Sequence, residues 1–211
     1  LSTSRIFAGS SEGLFLSIDS GTAWKKVISR QVTDLAFDGQ GKVYAGVLSR
    51  ETAGTRDNLL GRSSDGGHTW TYLPLPVPET GGGRAIWVSV LVRGASLYVA
   101  LLYQTWATYP LIDFCRSTDG GATWVLASST TSAGTRVQLL ADADGRNFYM
   151  AAATLMRLQT LGDYWLTVET ATQQFNAMRI SGATLLLAGE KGLEGVALAE
   201  GGLSGKIAVG A

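Results

Sequence analysis

The sequence predicts an all-β chain, a β-propeller of four-stranded antiparallel blades of which about five are visible. Three observations predict it: an eight-residue phrase returning at blade-sized intervals, short apolar runs recurring in a fixed order around it, and 27 glycines in 211 residues punctuating runs of Val, Ile, Thr, Tyr, Phe and Trp. Short β-branched and aromatic runs between Gly and Asp clusters read as strands joined by tight turns. No stretch of a dozen residues carries a convincing 3.6-residue apolar period.

The phrase reads Ser17-Ile18-Asp19-Ser20-Gly21-Thr22-Ala23-Trp24, then Ser63-Ser64-Asp65-Gly66-Gly67-His68-Thr69-Trp70, then Ser117-Thr118-Asp119-Gly120-Gly121-Ala122-Thr123-Trp124. A worn fourth copy, positions 158–165, keeps Gly162 and Trp165. Asp19, Asp65, Asp119 and the matching Thr160 stand 46, 54 and 41 positions apart, the interval of one four-stranded blade. Each phrase makes sense as a hairpin turn. The Asp accepts hydrogen bonds from backbone N–H groups two or three residues on, the glycine supplies a positive φ, and the Trp brings a large apolar side chain to the gap between neighbouring blades.

Apolar runs precede the phrases in order. Segments at 32–37, 85–91, 136–140 and 175–180 read as innermost strands A; those at 5–9, 42–46, 97–100, 147–151 and 185–189 as strands B. The runs into the phrases are strands C, and the Trp-led runs are strands D. The chain thus opens at strand B of its first blade, and positions 205–210 are the expected D strand of a fifth.

The phrase Ser-x-Asp-x-Gly-x-Thr-Trp resembles the Asp box of the BNR repeat, shared by sialidases, xyloglucan-active glycoside hydrolases, sortilin-type receptors and photosystem II assembly factors. Positions 2–211 fit that repeat as a single domain, with departures at Ala23 in the first box and at Leu158, Thr160 and Tyr164 in the fourth. The resemblance implies a propeller whose boxes lie at the C–D turns, away from the end where the family's enzymes do chemistry. It also favours an extracytoplasmic location, secreted or periplasmic. Family members more often carry more blades than are visible here, so a closed five-bladed ring and a piece of a larger propeller both stand.

Composition narrows the partners. Seventeen Lys+Arg cancel seventeen Asp+Glu, which leaves no electrostatic footprint for a phosphate backbone and makes nucleic acid an unexpected partner. No uninterrupted apolar run approaches the ~20 residues of a membrane-spanning helix. The first residue is Leu1 rather than Met, the expected mark of a processed or excised segment. The lone Cys115, in an apolar run, reads as a small buried hydrophobe, and one Cys with one His leaves no protein-built zinc site. No metal and no cofactor are expected.

In a four-stranded blade the B–C and D–A connections share the end opposite the boxes, where loops are free to carry function. Two long B–C connections, 48–58 with Arg50, Arg56 and Asp57, and 103–110 with Tyr103, Trp106 and Tyr109, flank a D–A connection ending in Arg84. With Asp113 these residues form the expected ligand face, since aromatic rings beside Arg and Asp suit a sugar or a peptide. Trp106 and Tyr109 equally suit a blade cap or a contact with another chain.

No catalytic residue is nominated. Where the resemblance implies a sialidase Arg-Ile-Pro motif, Arg5-Ile6 is followed by Phe7, and no Tyr and Glu form a recognisable nucleophile pair. A xyloglucan hydrolase needs two carboxylates across a groove, and Asp57 and Asp113 are the only acids to nominate on that end. His68 occupies a variable turn slot, not the held position of a general base. Two readings result. The favoured one is a non-catalytic propeller that binds a protein or glycan, or scaffolds an assembly; the other is a fragment of a secreted glycoside hydrolase, sialidase-like or xyloglucanase-like, with an incomplete catalytic set.

Overall fold

A computed structural model of the chain describes residues 4–48, 59–76, 84–104, 109–131, 133–142, 147–152, 154–159, 165–170, 175–190, 192–199 and 202–208. Every regular element among them is a strand, and the strands form five antiparallel sheets in chain order. The first sheet has three strands, β1 (Ile6–Ser10), β2 (Gly13–Ser17) and β3 (Lys25–Ile28). The second is β4 (Val32–Phe37), β5 (Val43–Val47), β6 (Leu59–Ser63) and β7 (Thr71–Pro74). The third is β8 (Arg84–Arg93), β9 (Ser96–Gln104), β10 (Leu111–Ser117) and β11 (Val125–Thr131). The fourth is β12 (Gln138–Ala141), β13 (Asn147–Ala151), β14 (Thr154–Gln159) and β15 (Trp165–Thr170). The fifth is β16 (Phe175–Ser181), β17 (Thr184–Gly189), β18 (Gly192–Ala199) and β19 (Gly202–Ala208).

The expected A-B-C-D order therefore holds, and the first sheet lacks an A strand among the described residues. The last D strand, β19, begins a few residues earlier than 205–210, with Gly202 paired to Ala199 of β18. The all-β blades make this a β-propeller fold.

Strand periodicity explains how the sheets stack. Successive side chains point to opposite faces, so a strand in a middle sheet is apolar on both. Along β9, Val99, Leu101 and Tyr103 join a core cluster with Tyr44 and Leu60 of the second sheet and with Leu75 just after it. The alternating Ala100 and Leu102 join Leu139, Phe148 and Met150 of the fourth sheet and Val137 just before it. The pattern repeats in β13, where Phe148 and Met150 face the third sheet while Tyr149 and Ala151 face Phe175, Leu185 and Leu187 of the fifth. Leu14 and Ile28 tie the first sheet to Val32, Ala45 and Val47 of the second. Each fully buried Leu or Phe is worth about 1.5–3 kcal/mol of apolar transfer. No such cluster joins the first sheet to the fifth among the described residues, so packing runs along a row of neighbours.

Irregularities recur in register. The pairing of A with B slips at Val32/Asp34, Ala85/Trp87 and Phe175/Ala177, always at the start of the A strand. A bulge re-aims the residues beside it. In three sheets it does so at the same end of the innermost strand.

Candidate functional site

The repeated turns sit at the C–D connections, and their geometry is built around the serine. Ser17, Ser63 and Ser117 are buried, and each Oγ donates to the Asp two residues on (2.7–2.8 Å) and accepts from the glycine N–H four residues on (2.7–2.9 Å). The Asp then reaches forward. Asp65 accepts from the backbone N–H groups of His68 and Thr69 and from Thr69 Oγ1 at 2.6 Å. Asp119 accepts from Thr123 N at 2.9 Å and Thr123 Oγ1 at 2.5 Å. These hydrogen bonds, the threonine hydroxyl first, hold both carboxyls well below the usual carboxylate range. Asp19, which meets Ala23 in place of that threonine, accepts only the Ala23 N–H at 2.9 Å from that position, and its pKa is lowered mainly by that bond and by Ser17.

The tryptophans are less buried than their size predicts. Trp70 and Trp124 are half-buried, packed against the clusters their sheets share with the preceding sheet, whereas Trp24 is 45% exposed. The first sheet has no predecessor among the described residues to cover it. Trp70 Nε1 donates to the Gly67 carbonyl and Trp24 Nε1 to that of Gly21, both at 3.0 Å. Gly21, Gly67 and Gly121 have φ of 95°, 95° and 92°, the left-handed conformation the turn needs. Trp165 opens β15; Gly162 lies outside the described residues.

Of the expected ligand face, Arg50, Arg56, Asp57 and Trp106 also lie outside the described residues. Arg84 opens β8 instead of closing a loop, and Tyr109 is 56% exposed. Tyr103 and Asp113, by contrast, are interior. Tyr103 is fully buried and donates to the Pro76 carbonyl at 2.8 Å, with burial pushing its hydroxyl above the usual phenol range. Asp113 is buried on β10, accepts from Ser129 Oγ, and is raised by desolvation. Period two accounts for both: each falls on an inward register position of a strand enclosed by other sheets. Cys115 is buried and pushed up to about 12 by desolvation, then by Asp113. His68 is exposed in its turn.

At the end opposite the repeated turns, where four A strands begin, the structure holds a pocket that no local motif marks. It is lined by Thr33 and Asp34 of β4, Trp87 of β8, Arg136 to Gln138 at the start of β12, and Phe175 and Asn176 of β16. Three of these strands bulge there. Polar side chains stitch the strands to one another. Thr33 Oγ1 donates to the Val88 carbonyl (2.6 Å) and accepts from Val88 N. Asp34 Oδ2 accepts from Ser89 Oγ (2.5 Å) and Val90 N (2.9 Å), and Oδ1 from Leu35 N (2.8 Å). Ser89 Oγ in turn accepts from Leu139 N of the fourth sheet, and Gln138 Oε1 from Met178 N of the fifth. Desolvation raises the Asp34 carboxyl despite these donors. At the rim, the exposed Arg136 guanidinium lies 5.1 Å from the centre of the Trp87 ring.

Among the described residues no group of three His, Cys, Asp or Glu is placed to hold a metal, and no helix is long and apolar enough to cross a membrane.

No protein-family model matches the chain, and no curated protein sequence does. Solved structures do match its fold. The chain is similar to the GH74 enzyme of Niastella koreensis (17% identity, TM-score 0.71), covering 96% of this chain and 35% of that one. It is similar to the GH74 xyloglucanase of Xanthomonas campestris (15%, TM-score 0.69), covering 95% and 35%. It is similar also to YCF48 bound to D1 peptide (14%, TM-score 0.58), covering 98% and 66%. The chain thus spans about a third of the length of the two GH74 chains and just under two thirds of YCF48. These likenesses define the class of protein, a β-propeller, and go no further than the fold.

Proposed function

We propose that this chain is a non-catalytic β-propeller scaffold, its repeated turns being Asp boxes of the BNR kind and its opposite end receiving a protein or glycan partner. The observation that carries this reading is the pocket where four innermost strands converge. Its one carboxylate, Asp34, has both oxygens engaged, Oδ2 by Ser89 and Val90 of the third sheet and Oδ1 by Leu35 of its own strand, so it braces neighbouring sheets instead of serving a substrate. Of the two acids the sequence offers for this end, Asp113 is likewise committed to Ser129, and Asp57 lies outside the described residues. The surrounding loops, with Arg50, Arg56, Asp57, Arg84, Trp106 and Tyr109, extend the receiving surface in this proposal. An extracytoplasmic location, secreted or periplasmic, belongs to it too.

A GH74 fold neighbour and a peptide-bound one frame the test. Purified chain is incubated with xyloglucan and assayed for new reducing ends, while a peptide array and a glycan array are probed for retention. Retention without new reducing ends is expected, and Trp106→Ala should weaken it by about 1–3 kcal/mol, the scale of an aromatic anchor. Release of reducing ends would overturn the scaffold in favour of a piece of a glycoside hydrolase.

A further inference from the structure

We infer that the axial pocket is a carboxylate-binding site, taking the C-terminal or side-chain carboxylate of a protein partner; the inference rests on the scaffold reading and gives its ligand a chemistry. The argument is an account of which polar atoms at the pocket are already engaged. Thr33 Oγ1 both donates to and accepts from Val88, and Asp34 has donors on both oxygens. Gln138 spends its carbonyl oxygen on Met178 N, which leaves its NH2 group as the donor it can offer. Asn176 is exposed at the rim. Arg136 is exposed too and has no carboxylate partner among the described residues. What the pocket presents to a newcomer is therefore rich in donors.

The Trp87–Arg136 pair decides the ligand's shape. A sugar would stack on the open face of an aromatic ring, but here the guanidinium lies over the indole. A guanidinium carries its N–H groups in its own plane as a fork, and that fork matches a carboxylate in two parallel hydrogen bonds. The contact with the ring also restricts rotamers that the arginine would otherwise lose on binding. The cavity, about 110 Å³, is several times the roughly 10–15 Å³ that one water requires, so a small polar group fits. The nearby Asp34 carboxyl opposes a doubly charged anion more than a singly charged one, which favours a carboxylate over a phosphate.

The test uses a labelled hexapeptide of glycine and serine with a free C-terminus, its C-terminal amide, and the same amide with a penultimate glutamate, each titrated by fluorescence polarisation. The free acid and the glutamate peptide should bind at least tenfold more tightly than the plain amide. Arg136→Lys, which keeps the charge and loses the fork, should erase that difference while leaving the melting temperature unchanged. Propionate should compete better than inorganic phosphate or glucuronate. Equal binding of acid and amide, an unaltered preference in Arg136→Lys, or stronger competition by phosphate would each overturn the carboxylate assignment, and stronger competition by glucuronate, itself a carboxylate, would overturn the protein partner in favour of an acidic glycan. Any of those results without xyloglucan hydrolysis leaves the scaffold standing, whereas hydrolysis removes the scaffold itself.

Discussion

At the scale of residues, the three repeated turns form a natural substitution series. The second and third carry a Thr whose hydroxyl and N–H both reach the Asp, and the first carries Ala23. Ala23→Thr should therefore draw the Asp19 carboxyl further down, toward Asp65 and Asp119, as an NMR pH titration of the carboxyl carbons would show. Because the folded pKa values of Asp65 and Asp119 lie below those of the unfolded chain, their contribution to stability is present above about pH 4 and is lost as pH falls further. Their exposure to solvent keeps that contribution modest. Asp34 runs the other way: its raised pKa favours the folded state at low pH, and that preference is lost as pH rises through the folded value. Asp34→Ala leaves Val90 N, Leu35 N and Ser89 Oγ without this acceptor and should cost about 2–3 kcal/mol in urea denaturation. No change on that substitution would remove the bracing role. The sequence made the Ser-Asp-Thr turns legible because each bond closes within four residues. The same reading overestimated the burial of Trp70 and Trp124 and placed Tyr103 and Asp113 on an open face.

At the scale of elements, the second and third turns do more than connect strands, since each leans on the sheet before it. The Arg5 guanidinium donates to the Gly66 carbonyl at 3.1 Å, and a Cβ at Gly67 would run into the Phe7 ring of the first sheet. At Gly21, with a similar φ, the nearest atom a Cβ would meet belongs to Ile6 of its own sheet, at 3.7 Å. Gly21→Ala should thus cost only the left-handed strain, about 1–2 kcal/mol, while Gly67→Ala adds a clash that separates two sheets. Thermal melts of the two variants should rank them in that order, and equal losses would mean the turn does not clamp the neighbouring sheet. Strand order was legible through period two and glycine punctuation. The A-strand bulges were not, because a single inserted residue leaves the apolar pattern nearly intact while leaving Thr33 and Asn176 out of the A–B register beside the pocket.

At the scale of the whole molecule, the sheets on either side protect the middle ones, and among the described residues the first is covered on one side alone, by the second. Ile6, Ile18 and Trp24 are 40%, 58% and 45% exposed, and β1 is an edge strand of a three-stranded sheet. Exposed apolar side chains beside an unpaired strand edge favour association with another chain. Light scattering should find concentration-dependent association at micromolar protein, reduced by Ile6→Lys combined with Ile18→Lys. A monomer at every concentration tested would refute it.

By itself the sequence determined the turns, the strand order and the blade repeat. Those depend on hydrogen bonds within an eight-residue phrase and on side chains alternating along one strand, and both are written in consecutive residues. Only the tertiary structure decided the pocket. Asp34 meets Ser89, Ser89 meets Leu139, and Arg136 lies on Trp87, pairs separated by roughly fifty positions and brought together by the stacking of sheets around an axis. Nothing local distinguishes those residues from other polar residues near the start of a strand, because their meaning comes from the neighbour that packing supplies.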